Sequence, residues 1–206
     1  MFYDPRENLR PPPLTHNPFN ALVAPRPIGW ISSIDSAGNV NLAPFSFFNA
    51  FSSDPPLVGF ALGSKDTKNN PKDTLYNVRE VPEFVAHLAS YDLREQVNQS
   101  SKIYPRDINE FEQVGLTEVP SKLVRPPRIA EARAALECTV WQILELPSLP
   151  GGRDRHLVIG EVVGIHIDDA MIENGRVLSA RLRQLSRLGY FEYDVVGDTF
   201  DIPRPD

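Results

Sequence analysis

Two aromatic stretches near the N-terminus carry the side chains that a pocket for a flat, partly polar molecule needs. They read RPIGWISS at 26–33 and NLAPFSFFN at 41–49. Aromatic rings give a planar heterocycle its apolar contact, while Ser32, Ser46 and Asn49 would hydrogen-bond its edges. The pattern therefore predicts two neighbouring strands that form a wall against such a ring.

A third stretch, GSKDTKN at 63–69, has the composition of an anion site. Its donors Ser64, Lys65 and Thr67 come directly before a predicted helix, whose N-terminus attracts negative charge. Asn69 would assist, or would cap that helix. Taken alone, the stretch is typical of a solvated charged turn. Beside the aromatic wall it predicts a phosphate site, and a flat ring with a phosphate describes flavin mononucleotide (FMN).

Other catalytic motifs are absent from the sequence. There is no G-x-G-x-x-G, H-E-x-x-H or G-x-S-x-G pattern, and the four histidines are scattered. Cys138 is alone, so neither an internal disulfide nor a thiolate zinc site can form. We therefore predict no metal. A lone buried histidine, such as His87 or His166, is more often a core residue than a ligand.

Composition excludes further classes of protein. Lysine and arginine total 21 against 27 acidic residues, a net charge of −6, and no basic cluster marks a nucleic-acid surface. No apolar run has the ~18 residues of a membrane span, and the N-terminus lacks a secretory pattern. We predict a cytoplasmic protein with no nucleic-acid or membrane partner.

The predicted elements that position these residues are mostly strands. Residues 1–19 are expected to form an irregular arm, with one domain over 20–206. DSAGN at 35–39 predicts a hairpin turn, and residues 156–168 alternate apolar side chains with a period of two. Strands are predicted at 27–33, 40–46, 57–62, 83–90, 136–146 and 156–168, and helices at 71–80 and 179–188. An antiparallel barrel fits best; a parallel α/β sheet is the rival, but it lacks its phosphate fingerprints.

The chain resembles the flavin-reductase-like, FMN-binding split-barrel proteins, in particular their flavoredoxin-type branch. The resemblance covers residues 20–193 and is carried by APRPIGWISSIDSAGNVNLAPFSFFNAFSSDPP, KDTKNN, EFVAHLAS, RHLVIGEVVGIHI and RLGYFEY. It implies a mainly β fold, a six-stranded antiparallel Greek-key split barrel with peripheral short helices. It also implies a homodimer with FMN at or near the subunit interface.

The resemblance assigns roles to individual residues. His156 would be catalytic, facing the open side of the flavin. A core position is an equal alternative for Trp30. Residues expected to bind FMN are Trp30, Ser32, Ala43, Pro44, Phe45, Ser46, Phe47 and Asn49 around the ring and ribityl chain, and Ser64, Lys65, Thr67 and Asn69 at the phosphate. His87 and Tyr190 depart from the family pattern, which expects asparagine and glycine there, so coverage of the flavin faces is open.

The activity implied is an NAD(P)H:flavin reductase that transfers hydride from NAD(P)H to FMN, with NAD(P)H as co-substrate. A flavin-dependent monooxygenase or another electron-transfer protein is the expected partner. Two alternatives stay open: a flavoredoxin-like electron carrier that takes electrons from a protein, and a non-catalytic module that binds FMN or another ligand.

Overall fold

The computed structural model describes residues 1–7, 10–64, 72–148 and 152–205. Most of the regular structure in these ranges is β. The strands are β1 Arg26–Pro27, β2 Gly29–Ile34, β3 Val40–Phe45, β4 Phe48–Ser53, β5 Pro56–Gly63, β6 Glu83–Leu88, β7 Glu118–Val119, β8 Arg128–Ile129, β9 Ala134–Leu146, β10 Arg155–Ile167, β11 Ile172–Glu173, β12 Arg176–Val177, β13 Leu185–Arg187 and β14 Tyr193–Val195.

The helices in these ranges are short and lie outside the large sheet. The α-helices are α1 Phe19–Leu22, α2 Asp73–Glu80, α3 Arg94–Gln99, α4 Glu110–Val114 and α5 Ser179–Leu182, with 3-10 turns at Pro5–Glu7, Tyr91–Leu93 and Asp169–Met171. The predicted helix at 71–80 is present as α2, although residue 71 lies outside the described ranges.

Seven strands form one antiparallel sheet in the order β3-β2-β6-β9-β10-β5-β4. Its outer strands, β3 and β4, are joined by only Ser46 and Phe47. A flat seven-stranded sheet would hold them roughly 29 Å apart, whereas three Cα–Cα steps span at most about 11 Å. The sheet must therefore curl until its edges meet without pairing, which is a split barrel.

The prediction of a mainly β, antiparallel fold with short peripheral helices is confirmed. The described sheet has seven strands where six were expected. The extra strand is β4, whose first two residues, Phe48 and Asn49, end the aromatic stretch 41–49. It pairs with β5, with Asn49 opposite Gly59.

The barrel encloses one hydrophobic core. Ile31, Phe60, Phe84 and Val158 are all fully buried there, and the rings of Phe60 and Phe84 meet edge to face with centroids 5.2 Å apart. A second core lies between the sheet and the peripheral helices. It holds Trp30 and Leu42 together with Val97 of α3 and Phe111 of α4, and its members are buried almost completely.

The predicted helix at 179–188 is wrong in its second half. Helix α5 ends at Leu182, because Arg183 takes a left-handed conformation with φ 47°. Leu185–Arg187 then forms β13, which pairs with β1 and β14. Leu185 is buried in the second core, so tertiary packing outweighs the helical pattern of this segment.

In the part of the chain that the structure describes, no helix is long and apolar enough to cross a membrane.

Candidate functional site

A groove of about 290 Å³ lies at one end of the barrel, where the two edges of the sheet meet. The β3–β4 link forms one wall, the end of β5 a second, and the facing ends of β9 and β10 a third. The sheet register puts Arg155 directly between Gly63 and Leu146. The lining residues are Pro44, Phe45, Ser46, Phe47, Ala61, Leu62, Gly63, Lys72, Leu146 and Arg155.

The link supplies both apolar rings and polar donors. Phe45 packs its ring against Phe60, with centroids 5.0 Å apart, while the side chain of Phe47 is 46% exposed. The Phe47 carbonyl accepts the Ala61 N–H at 2.8 Å, which fixes the link to β5. Neither the Ser46 nor the Phe47 N–H donates to another described residue, so neither has its hydrogen-bonding capacity filled by that part of the chain.

Two basic side chains that the sequence analysis did not identify, Lys72 and Arg155, line the groove. Lys72, at the N-cap of α2, places its Nζ 5.4 Å from the centre of the Phe45 ring. The Arg155 guanidinium forms no ion pair with any carboxylate of the described residues. Arg155 comes one position before His156, the residue that the sequence analysis assigns to the flavin. Because successive side chains of a strand point to opposite faces, only one of these two neighbours can face the groove.

The predicted phosphate turn is only partly visible. Lys65, Thr67 and Asn69 lie outside the described residues. Ser64 is buried and follows Gly63 of the groove wall; its N–H donates to the Asp154 carbonyl at 3.0 Å. Gly63 and Lys72, which lie on either side of the predicted phosphate residues in the sequence, both line the groove.

Trp30 and Ser32 lie in the interior, away from the groove. Both are fully buried. The Trp30 indole Nε1–H donates to Ser100 Oγ at 3.0 Å, and the Ser32 hydroxyl donates to the Pro127 carbonyl at 2.6 Å. Both side chains lie on the face of β2 that packs against the helices and loops, so strand alternation turns them away from the barrel interior.

Ala43 and Asn49 are near the groove but do not line it. Ala43 borders a neighbouring cavity of about 90 Å³ together with Pro44. Asn49 is exposed on β4, and its Oδ1 accepts the N–H of Ala50 at 2.9 Å. The structure thus brings Pro44, Phe45, Ser46 and Phe47 together at the groove and leaves these two outside it.

His156 faces helix α2 instead of the groove. Arg79 Nη2 donates to His156 Nε2 at 3.0 Å, so this nitrogen accepts and the ring is neutral. Burial, followed by the positive charge of Arg79, lowers the pKa of His156. A contact between His156 Nε2 and a substrate would require Arg79 to move away.

His87, which departs from the family pattern, lies in the core. It is almost completely buried between β2 and β8 and makes hydrogen bonds with both ring nitrogens. It therefore does not border the groove.

The chain is similar to known proteins in sequence and in fold. The flavin reductase like domain model matches residues 22–191. A protein of Halalkalibacterium halodurans is 40% identical over 183 residues, 89% of this chain and 87% of its own length.

Two solved structures share the whole fold. Component B of the nitrilotriacetate monooxygenase of Bacillus cereus superposes with a TM-score of 0.88 at 27% identity, covering 98% of both chains. The 2-nitrobenzoate 2-nitroreductase of Pseudomonas fluorescens gives 0.79 at 30% identity, covering 91% of this chain and 88% of its own.

Proposed function

Because the chain belongs to the flavin reductase like family, we propose that it binds FMN in the groove and reduces it with NAD(P)H. One observation carries the proposal: the groove combines aromatic rings, two backbone N–H groups without a described partner, and an arginine without a described carboxylate partner. These are the contacts that a planar ring, its polar edge and a phosphate need.

Different residues of the groove would bind different parts of FMN. Phe45 and Phe47 would contact the ring system, and the N–H groups of Ser46 and Phe47 would donate to its polar edge. Arg155 would pair with the phosphate, together with Ser64 and the turn that holds Lys65, Thr67 and Asn69. Bound FMN supplies the hydride chemistry, so the protein has only to bind, orient and exclude water.

No general acid or base is needed for hydride transfer, which fits the lack of a catalytic cluster in the sequence. The structural likeness to a monooxygenase component B supports delivery of reduced flavin to a partner monooxygenase. We also propose a homodimer, because several large apolar side chains on the strands are exposed in the single chain.

The first test is the visible spectrum of the purified protein with FMN, before and after NADH or NADPH is added without oxygen. A flavin band that bleaches supports the reductase. A band that persists with both nucleotides would instead indicate an electron carrier served by a protein donor. Absence of FMN binding would leave only the fold.

A variant pair tests the groove itself. Arg155→Gln should weaken FMN binding about tenfold, the equivalent of one charge-assisted hydrogen bond, whereas Arg153→Gln, which lies outside the groove, should not. Lys65→Ala combined with Thr67→Ala should weaken it further. FMN affinity unchanged in both Arg155→Gln and the double variant, measured by quenching of flavin fluorescence, would remove the phosphate assignment.

A further inference from the structure

A second cavity, of about 430 Å³, borders the flavin groove. Pro44 and Ser46 line both, so a molecule in the second cavity would lie next to one in the groove. The other walls come from the N-terminal segment, α3 and residues 187–193. A volume of this size is ordinary for a small-molecule site.

The cavity is positively charged, although the chain as a whole carries a net charge of −6. Arg26 and Arg187 line it, and no acidic residue does. The two arginines are direct partners in the pairing of β1 with β13, where like charges repel. Neither forms an ion pair with a carboxylate of the described residues.

Arg187 differs from the other arginines that stack on tyrosine. Arg183 lies over the Tyr91 ring but also pairs with Asp92 at 3.2 Å, and Arg94 and Arg106 likewise combine a tyrosine with a carboxylate. The Arg187 guanidinium lies 4.4 Å from the centre of the Tyr193 ring and donates Nη2 to the Tyr190 carbonyl. Its Nε and Nη1 have no partner among the described residues.

Main-chain carbonyls hold the Arg26 side chain in place, and no carboxylate of the described residues forms an ion pair with it. It is 7% exposed, and its guanidinium donates to the main-chain carbonyls of Asn20, Val23 and Leu188. Burial and the neighbouring Arg187 lower the pKa of Arg26. A bound anion would therefore relieve an electrostatic cost that the folded chain otherwise carries.

The remaining walls favour a flat ring attached to that anion. Tyr190, Phe191 and Tyr193 are exposed and line the cavity, and Asn98 and Ser101 add polar groups beside them. We propose that this cavity binds a planar aromatic carboxylate, with its carboxylate on Arg187 and in the field of Arg26, and its ring against the tyrosines. As a co-substrate site it rests on the proposed flavin function; as a binding site it does not.

The test is calorimetric titration of the protein, with and without FMN, using benzoate as the probe. Benzamide is the neutral analogue and inorganic phosphate the anion without a ring. We expect benzoate to bind in both forms, benzamide not to bind, and phosphate to bind more weakly than benzoate. Arg187→Gln should weaken benzoate about tenfold and Arg187→Lys less, because lysine keeps the charge but not the fork.

The matched control is Arg183→Gln, which removes another tyrosine-stacked arginine outside the cavity and should leave benzoate binding unchanged. Equal binding of benzoate by wild type and Arg187→Gln would overturn the proposal, as would equal binding of benzamide and benzoate. Phosphate binding as tight as benzoate would overturn the aromatic part. If benzoate binds as expected and FMN does not bind, the proposal of an aromatic carboxylate site is retained and the proposal of flavin binding is rejected.

Discussion

At the scale of a single residue, His87 shows how a buried histidine can hold three strands together. Its Nε2 accepts the Ile129 N–H of β8 at 3.0 Å, so the proton is on Nδ1, which donates to the Trp30 carbonyl of β2 at 2.9 Å. Burial is the main cause that lowers the pKa of His87 to about 4. The neutral ring is therefore the form that the fold requires.

This pKa predicts a loss of stability in mild acid. The unfolded chain takes up a proton at His87 near pH 6.5, and the folded chain only near pH 4. Unfolding is thus favoured increasingly as the pH falls between these values, by about 3 kcal/mol at most. Urea denaturation at pH 7.5, 5.5 and 4.5 measures this decrease in the free energy of unfolding.

His87→Gln should be less stable at pH 7.5, since glutamine replaces the ring imperfectly, but should lose less stability between pH 7.5 and 4.5. His16→Gln, at an exposed histidine, is the control and should follow wild type. Parallel losses in His87→Gln and wild type would show that His87 does not cause the acid dependence.

At the scale of an element, β10 depends on a small residue at one inward position. A Cβ on Gly160 would lie 2.5 Å from Cε1 of the buried Phe84 ring and 3.2 Å from Cβ of Cys138. At Gly164, four residues later on the same strand, the nearest atom would be Glu137 Cβ at an ordinary 3.4 Å. The strand therefore needs glycine for space at the first position only.

Gly160→Ala should accordingly destabilise the protein by about 1–3 kcal/mol, because the buried ring has to shift in a packed core. Gly164→Ala should change the free energy of unfolding by less than about 0.5 kcal/mol. The measurement is urea denaturation of both variants at pH 7.5. If Gly160→Ala lowers the free energy of unfolding as little as Gly164→Ala is expected to, the Phe84 ring adapts without cost and the steric argument is wrong.

At the scale of the whole molecule, the barrel carries apolar side chains on its outside. Trp141 of β9 and Ile165 of β10 are 61% and 62% exposed, and Phe51 of β4 is 56% exposed. Val163, also on β10, is 36% exposed. A partner that covers this face would remove the apolar surface from water.

Sedimentation equilibrium of the wild-type protein should therefore give twice the chain mass of 23.1 kDa. Ile165→Lys should shift the equilibrium towards monomer, since a buried, unpaired ammonium group is costly. Leu123→Lys, at an equally exposed residue outside the strands, should leave the dimer intact. A wild-type protein that stays monomeric at high concentration would contradict the proposed homodimer.

The local pattern of the sequence by itself determined six of the seven strands of the large sheet, the first hairpin and the aromatic stretch that becomes the wall of the groove. Alternation and turn chemistry act between near neighbours, so they are readable without a fold. The tertiary structure decided which distant residues meet. Strand register places Arg155 in the groove that the β3–β4 link lines. Trp30 lies on the face of β2 that packs in the second core, and Leu185, buried in the same core, belongs to a strand although its segment has a helical pattern. In each case burial and long-range pairing outweigh local propensity.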